Sequence, residues 1–293
     1  MTIRTAWRVL IVFALLNLLI VGWAFIRRYT PPGELRVTFL DVGQGDAAVI
    51  ESPSGKVMVI DTGNLIGDDD DEGRRVVVPY LRSRGINHID ILLLTHPHAD
   101  HIGGAVTLLD RFPVGMLVEN GVDSTSALMT RILTSAALHH VAHKIGRLGE
   151  ELDFGDGVTA RMLAPNEAET HGTTNDGSIV LRMQYGHTAF LLTGDAEAIE
   201  EADMTAREPN LSCDVLKVGH HGSHTSSNPE FVVAAHPKVA VVSVALHNTF
   251  GLPSATVLDR LQQSGARVLL TDKNGAVICH SDGATVRVES MLP

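Results

Sequence analysis

The chain has 293 residues, 44% hydrophobic and 4% aromatic, with 34 acidic against 23 basic side chains and a formal net charge of −11. This is enough for one large domain with a full core or two small ones. With Arg4, Arg8, Arg27 and Arg28 set aside, residues 29–293 carry 19 basic against 34 acidic side chains, a net of −15, which disfavours a broad electrostatic grip on nucleic acid and leaves any polyanionic substrate to bound metal and a local patch.

In chain order, the first feature is Val9 to Ile26, eighteen consecutive uncharged and mostly apolar positions between two pairs of arginines. A helix crosses a bilayer with about 20 such residues, so the stretch predicts a single-pass membrane anchor over residues 1–28, followed by a short linker at 29–34 containing Pro31-Pro32. A cleaved signal peptide is the competing reading, but no Ala-x-Ala site precedes Arg27. With two arginines on each side, the terminal amine alone tilts the positive-inside rule, placing the short tail inside and the body outside the cytoplasm. One such span cannot form a pore, so a DNA-import channel is not supported, and a role in transformation would need another membrane protein beside it.

The body, residues 35–293, opens with short strands predicted at Leu35 to Leu40, Asp46 to Glu51 and Lys56 to Ile60, separated by Gly43, Gly45 and Pro53-Ser54-Gly55 and therefore antiparallel. The acidic run Gly67 to Gly73 reads as a solvated loop, since it lacks the alternating ligands of a calcium loop. Helix at Arg74 to Arg84, strand at Ile89 to Leu94 and helix at Ser124 to His140 follow, with His139, His140 and His143 taken as amphipathic helix-end residues. Strands are predicted around Val158 to Leu163, Ser178 to Gln184 and Thr188 to Thr193, then an acidic helix at Ala196 to Arg207. The second half continues with strand Asp214 to Val218, helix Pro229 to Ala235, strand Lys238 to Val244, helix Pro253 to Ser264 and strand Arg267 to Leu270. Strands with interspersed helices in two halves predict an α/β fold of two packed sheets with helices outside. A plain doubly wound sheet is the alternative, and the early hairpins argue against it. Cys213 and Cys279 lie in apolar runs as expected for buried thiols, and their pairing stays open.

Chemistry concentrates in Thr95-His96-Pro97-His98-Ala99-Asp100-His101-Ile102-Gly103-Gly104, three imidazoles and a carboxylate within six residues at the end of a buried strand. Neutral imidazole nitrogen and carboxylate oxygen are the donors that zinc and similar metals prefer, and a turn aims several of them at one point. Fifteen histidines make chance pairs unsurprising, but the complete H-x-H-x-D-H spacing and the strand before it favour a metal site over a polar loop. Gly103-Gly104 would let the backbone pass close to a bound ion. Two further strand ends supply the same donor types: Leu191-Leu192-Thr193-Gly194-Asp195, and Lys217-Val218-Gly219-His220-His221-Gly222-Ser223-His224.

These marks, together with Phe39-Leu40-Asp41-Val42-Gly43-Gln44-Gly45-Asp46-Ala47, Ile60-Asp61-Thr62-Gly63, Asn175-Asp176-Gly177-Ser178 and Asn248-Thr249-Phe250-Gly251, resemble the metallo-β-lactamase superfamily. Within it they resemble the hydrolase domain of the ComEC-like DNA-internalisation competence proteins, over nearly all of residues 35–280. The resemblance implies a four-layer αββα sandwich with two divalent ions, zinc or alternatively manganese, at one edge. It assigns His96 and His98 to the first ion, Asp100 and His101 to the second, Asp195 to both, and His220 to the second, with His221 as the alternative at that position. The superfamily commonly has one more histidine on the first ion. Here Asn175 or His171 stands at that segment. Asp41 and Asp61, like Asp46, are candidates either for turns or for orienting the ligands. Relatives with Gly-His-Pro after the asparagine have a proton donor that Gly251-Leu252-Pro253 lacks.

Two such ions lower the pKa of a water between them and clamp the oxygens of an attacked ester, which makes a phosphodiesterase or nuclease with a metal-bridging hydroxide the expected activity. Asp100, Asp195, His221 and His224 are then the catalytic candidates, and Ser223 and Asn248 candidate substrate contacts. Hydrolysis of a carboxyl ester, lactone, thioester or β-lactam uses the same ions, and an inactive binding module shares the fold.

Overall fold

The computed structural model describes residue 7, residues 12–18 and residues 33–292 except 68, 69, 123–125, 156 and 172. Val12 to Leu18 are helical, with their apolar side chains exposed. Most of the expected anchor at 9–26 and most of the linker lie outside the described residues, and no described helix is long and apolar enough to cross a membrane.

Among the described residues, two sheets dominate. The first runs, in spatial order, Val286–Ser290, Val277–Ser281, Leu35–Phe39, Ala48–Glu51, Val57–Ile60, Ile89–Leu93, Val114–Glu119 and Ala142–Ile145. The second runs Arg267–Leu270, Val239–Val242, Val215–Lys217, Thr188–Leu192, Val180–Tyr185, Val158–Ala164 and Glu151–Asp153. Each half of the chain begins with antiparallel hairpins and then adds parallel strands through helical crossovers. The inner parallel strands, such as Ile89–Leu93, Val215–Lys217 and Val239–Val242, are mostly apolar because helices or the other sheet cover both of their faces. One core lies between the sheets, where Phe39, Met58 and Leu93 of the first meet Met162, Phe190 and Val241 of the second. A second core joins the first sheet to helices Val78–Ser83, Ala105–Arg111 and Ala127–Leu138, and a third joins the second sheet to Ala198–Arg207, Pro229–Ala235 and Ala255–Gln263. Helix, sheet, sheet and helix thus stack in four layers.

Several local expectations are corrected. The described part of the acidic run is not a solvated loop: Asp70–Asp71 pairs with Leu65–Gly67, and buried Asp71 accepts from the Arg74 backbone N–H (2.8 Å) and the Thr107 hydroxyl (2.6 Å). His143 lies on the edge strand Ala142–Ile145 against Glu119 (3.0 Å), not at a helix end. Gly103 and Gly104 serve backbone packing: a Cβ at Gly103 would lie 2.1 Å from Leu65 N, and one at Gly104 2.5 Å from Gly73 Cα. Cys213 and Cys279 are both free and buried, in different cores.

Candidate metal centre

The donors gather where the C-terminal ends of strands from both sheets face each other, the crevice where open α/β sheets place their ligands. Ile89–Leu93 leads to Thr95, His96 and, after a turn, the short helix Ala99–Ile102. Thr188–Leu192 leads to Asp195, Val215–Lys217 to His220 and His221, and Val57–Ile60 to Asp61. Gly45 clamps this edge: a Cβ there would lie 2.3 Å from the Asp100 carbonyl oxygen, and the Asp46 N–H donates to that same oxygen (3.1 Å).

Two groups of donors meet at Asp195. On one side, Nε2 of buried His96 lies 3.0 Å from Nδ1 of His98 and 3.8 Å from Asp195 Oδ2. On the other, His101 Nε2 lies 3.3 Å from Asp195 Oδ1, and His221 Nε2 lies 3.3 Å from Asp100 Oδ2 and 3.7 Å from Asp195 Oδ2. Both His96, His101, Asp195 and Asp100, His101, His221 bring one donor atom each within 4.8 Å of one another. Of the adjacent histidines it is His221 that faces Asp100 and His101, while His220 turns its Nδ1 to Glu197 Oε1 (2.9 Å). His220 and His221 occupy the left-handed region at φ 46° and 52° in succession. This strain, of order 1–3 kcal/mol per residue, is the sort the fold sustains at functional sites.

The residues fit a pair of metal ions on a direct observation: His101 Nε2, His221 Nε2 and Asp195 Oδ1 are buried, and apart from their approaches to one another and to Asp100 they have no hydrogen-bond partner. Such atoms are costly to leave unmet, and all three belong to the converging set. An outer layer fixes them. Asp61 accepts from His101 Nδ1 (2.8 Å), the Thr95 N–H (2.8 Å) and the Thr95 hydroxyl (2.7 Å), which aims His101 Nε2 at the cluster. The Ser243 carbonyl holds His221 Nδ1 (3.0 Å). Buried Lys217 pairs with Asp46 (2.8 Å), whose other oxygen lies 3.8 Å from His221 Nδ1.

Electrostatics separates the imidazoles. Burial and the neighbouring His101 charge drive the His96 pKa well down, keeping its ring neutral. Burial also works against charge on His101, but the Asp195 and Asp61 carboxylates outweigh it and raise that pKa well above the usual value. His221 is raised in the same way by Asp195 and its contact with Asp100. Asp195 and Asp100 are held low, the histidine charges and hydrogen bonds exceeding the effect of burial.

Other candidates stand outside the cluster. Asp41 is exposed and accepts from the Gly43 N–H (3.2 Å), forming a turn and no part of the site. Asn248 spends its amide inside its own loop, donating to Ala245 O (3.1 Å) and Leu252 O (2.7 Å) and accepting from the Phe250 and Leu252 N–H groups, so it staples the loop. Buried Ser223 bonds Thr225 (2.9 Å), and His224 is exposed outside the cluster. Asn175 reaches Glu197 (3.3 Å) and leaves its buried Oδ1 unpartnered; the side chain of His171 lies outside the described residues. Glu197 escaped the sequence reading, although its place two residues after Asp195 is the signal that could have found it.

A four-layer sandwich with this His/Asp cluster at the strand ends defines a class of scaffold suited to a dimetal site. The chain belongs to the metallo-β-lactamase superfamily, whose model matches residues 40–247. It is 35% identical over 256 residues to ComE operon protein 3 of Bacillus subtilis (strain 168), covering 83% of this chain and 33% of that protein. It is 30% identical over 262 residues to competence protein ComA of Neisseria gonorrhoeae, covering 89% of this chain and 34% of that one. The chain thus spans about a third of the length of these curated relatives. In fold it is similar to CmlA, a diiron β-hydroxylase from Streptomyces venezuelae, with a TM-score of 0.54 at 14% identity over 82% of this chain and 53% of that one.

Proposed function

We propose that the protein is a dinuclear metal-dependent hydrolase of phosphodiester bonds, with nucleic acid among its substrates and zinc or manganese as its ions. The observation that carries this reading is that buried His101, His221 and Asp195 belong to overlapping groups of metal-type donors gathered at the sheet edge. When bound, two divalent cations make hydroxide available near neutral pH and neutralise the anionic oxygens of an attacked phosphodiester.

The chain supplies the arrangement. Asp195 places its carboxylate between the two donor groups, His96 is kept neutral, and Asp61 and Ser243 O fix His101 and His221 through their other ring nitrogens. The Lys217 ammonium offsets part of the carboxylate charge from beneath. The likeness to relatives named for competence, and the Asp-Val-Gly-Gln-Gly-Asp and His-His-Gly-Ser segments, support a phosphodiester over a carboxyl ester. The net charge of −15 beyond residue 28 favours short or single-stranded substrates over long duplexes. The apolar residues 9–26 are the basis for proposing a membrane tether with the body outside the cytoplasm.

The test uses the purified full chain with zinc or manganese, assayed on a chromogenic phosphodiester, single-stranded DNA, a lactone and a β-lactam. Metal-dependent phosphodiester turnover, absent from a His98→Ala/Asp195→Asn double variant and exceeding carboxyl-ester kcat/KM, is expected. Turnover no higher than the double variant's, or preference for the lactone, would refute the reading.

A further inference from the structure

The loop between strand Val239–Val242 and helix Ala255–Gln263 stands on the rim of the candidate metal centre. Its first residues are tied to that centre: Ser243 O holds His221 Nδ1 (3.0 Å), and the Ala245 N–H donates to Oε1 of Gln44 (3.4 Å), two residues before Asp46. Its last residues are tied there too. The Ser254 N–H donates to Gly222 O (2.9 Å), and Pro253 packs so closely that a Cβ at Gly222 would lie 2.7 Å from the proline Cβ. We infer that this loop is a nucleobase platform, on which the ring of Phe250 stacks against a base of a short or single-stranded nucleic acid whose phosphodiester lies at the centre. The inference rests on the phosphodiesterase reading above and adds the part of the substrate that the chain recognises.

Phe250 is 72% exposed, and among the described residues 33–292 it is the one Phe, Tyr or Trp that stands exposed. Leu246 of the same loop is exposed as well. The other aromatic rings of the body are buried or half-buried, so this one forgoes the burial that the rest obtain. The backbone beneath it is nevertheless fixed. Asn248 donates to Ala245 O and Leu252 O and accepts from the N–H groups of Phe250 and Leu252, which holds the loop closed around its own amide. A loop ordered before binding loses little conformational entropy when a ligand arrives.

Charge explains why recognition falls to a ring. Residues 239–258 contain no Asp, Glu, Lys or Arg, in a chain with 34 acidic and 23 basic side chains. A body this acidic lacks the broad basic surface that grips phosphates, so affinity has to come from the bases and from the metals. An uncharged loop lets an anionic strand approach without meeting carboxylates, and an aromatic ring stacks on any base, whatever the sequence. Three residues separate Phe250 from Pro253, at most about 11 Å of chain, and Pro253 touches the residue next to His221. The ring is thus within reach of a strand of a few nucleotides held at the centre.

The probes are a short fluorescent phosphorothioate oligothymidylate, which resists hydrolysis, and the same backbone with abasic sites in place of the thymidines. Both are titrated with the manganese-loaded full chain and followed by anisotropy, and the cleavable phosphodiester strand gives KM and kcat. Phe250→Ala is expected to weaken binding of the base-bearing strand about 5–150-fold and to raise its KM by a similar factor, with kcat, abasic affinity and melting temperature unchanged. Phe250→Tyr, which keeps the ring, should bind as wild type does. Equal affinity of wild type and Phe250→Ala for the base-bearing strand, or an equal loss on the abasic strand, would overturn the platform and leave the phosphodiesterase reading in place. A wild type that hydrolyses no phosphodiester would overturn that reading and this inference with it.

Discussion

His101 and Asp61 are joined by a 2.8 Å hydrogen bond between Nδ1 and Oδ2, with both side chains buried and Asp61 in the left-handed region at φ 56°. The bond leaves His101 Nε2 as the atom that faces Asp195, so a residue that touches no substrate decides where a ligand points.

Replacing Asp61 by asparagine keeps the volume, the tolerance of positive φ and an acceptor for the Thr95 N–H, but weakens the grip on His101. Metal affinity should fall about 10–100-fold, with a smaller effect on the folding of metal-free protein. Titration calorimetry on wild type and Asp61→Asn checks this, and affinities within twofold of each other would show that the bond does not orient the ligand.

Glu200 gives the protein a pH-dependent weakness. Its side chain is buried, both carboxylate oxygens lack a hydrogen-bond partner, and burial followed by the nearby Glu169 and Asp176 charges raises its pKa well above the usual range. A folded pKa above the unfolded value means that stability is fully present below about pH 4 and is lost as pH rises through the folded pKa. Glu200→Gln removes the ionisation. Its melting temperature should exceed wild type by several degrees at pH 8, reflecting on the order of 1–3 kcal/mol, with the gap closing toward pH 5. Parallel pH profiles of the two proteins would contradict this origin.

Gly45 should be intolerant of a side chain for two separable reasons, a φ of 142° and a Cβ position 2.3 Å from Asp100 O. Gly55 shares the positive φ (92°) with open space around it. Gly45→Ala is therefore expected to cost about 2–4 kcal/mol and Gly55→Ala about 1 kcal/mol. Urea unfolding of both measures the difference, and equal losses would mean that the approach to Asp100 is not what requires glycine.

Much of the scaffold was legible because its strands are short apolar runs bounded by glycine and proline, and the H-x-H-x-D-H cluster was legible because its spacing is local. The hairpin Val277–Ser281 and Val286–Ser290 was not: it returns to pair with Leu35–Phe39, and the outermost strand alternates partly buried and exposed positions that mimic a loop. The roles of Asn248 and Asp41 were not legible, because an asparagine or aspartate near a site has the same letters whether it faces the site or closes a turn.

By itself the sequence determined the chemistry on offer: imidazoles and carboxylates at three strand ends, on an acidic body with an apolar stretch before it. Only the tertiary structure decided which atom serves which partner. The left-handed turn at His220 and His221 brings both Nε2 atoms toward Asp195 Oδ2 (3.9 and 3.7 Å), and Glu197, Asp61 and Ser243 O fix the Nδ1 atoms of His220, His101 and His221 from other parts of the chain. Spacing along a strand sets which residues arrive together, whereas backbone dihedrals and hydrogen bonds between remote segments set where their donor atoms point.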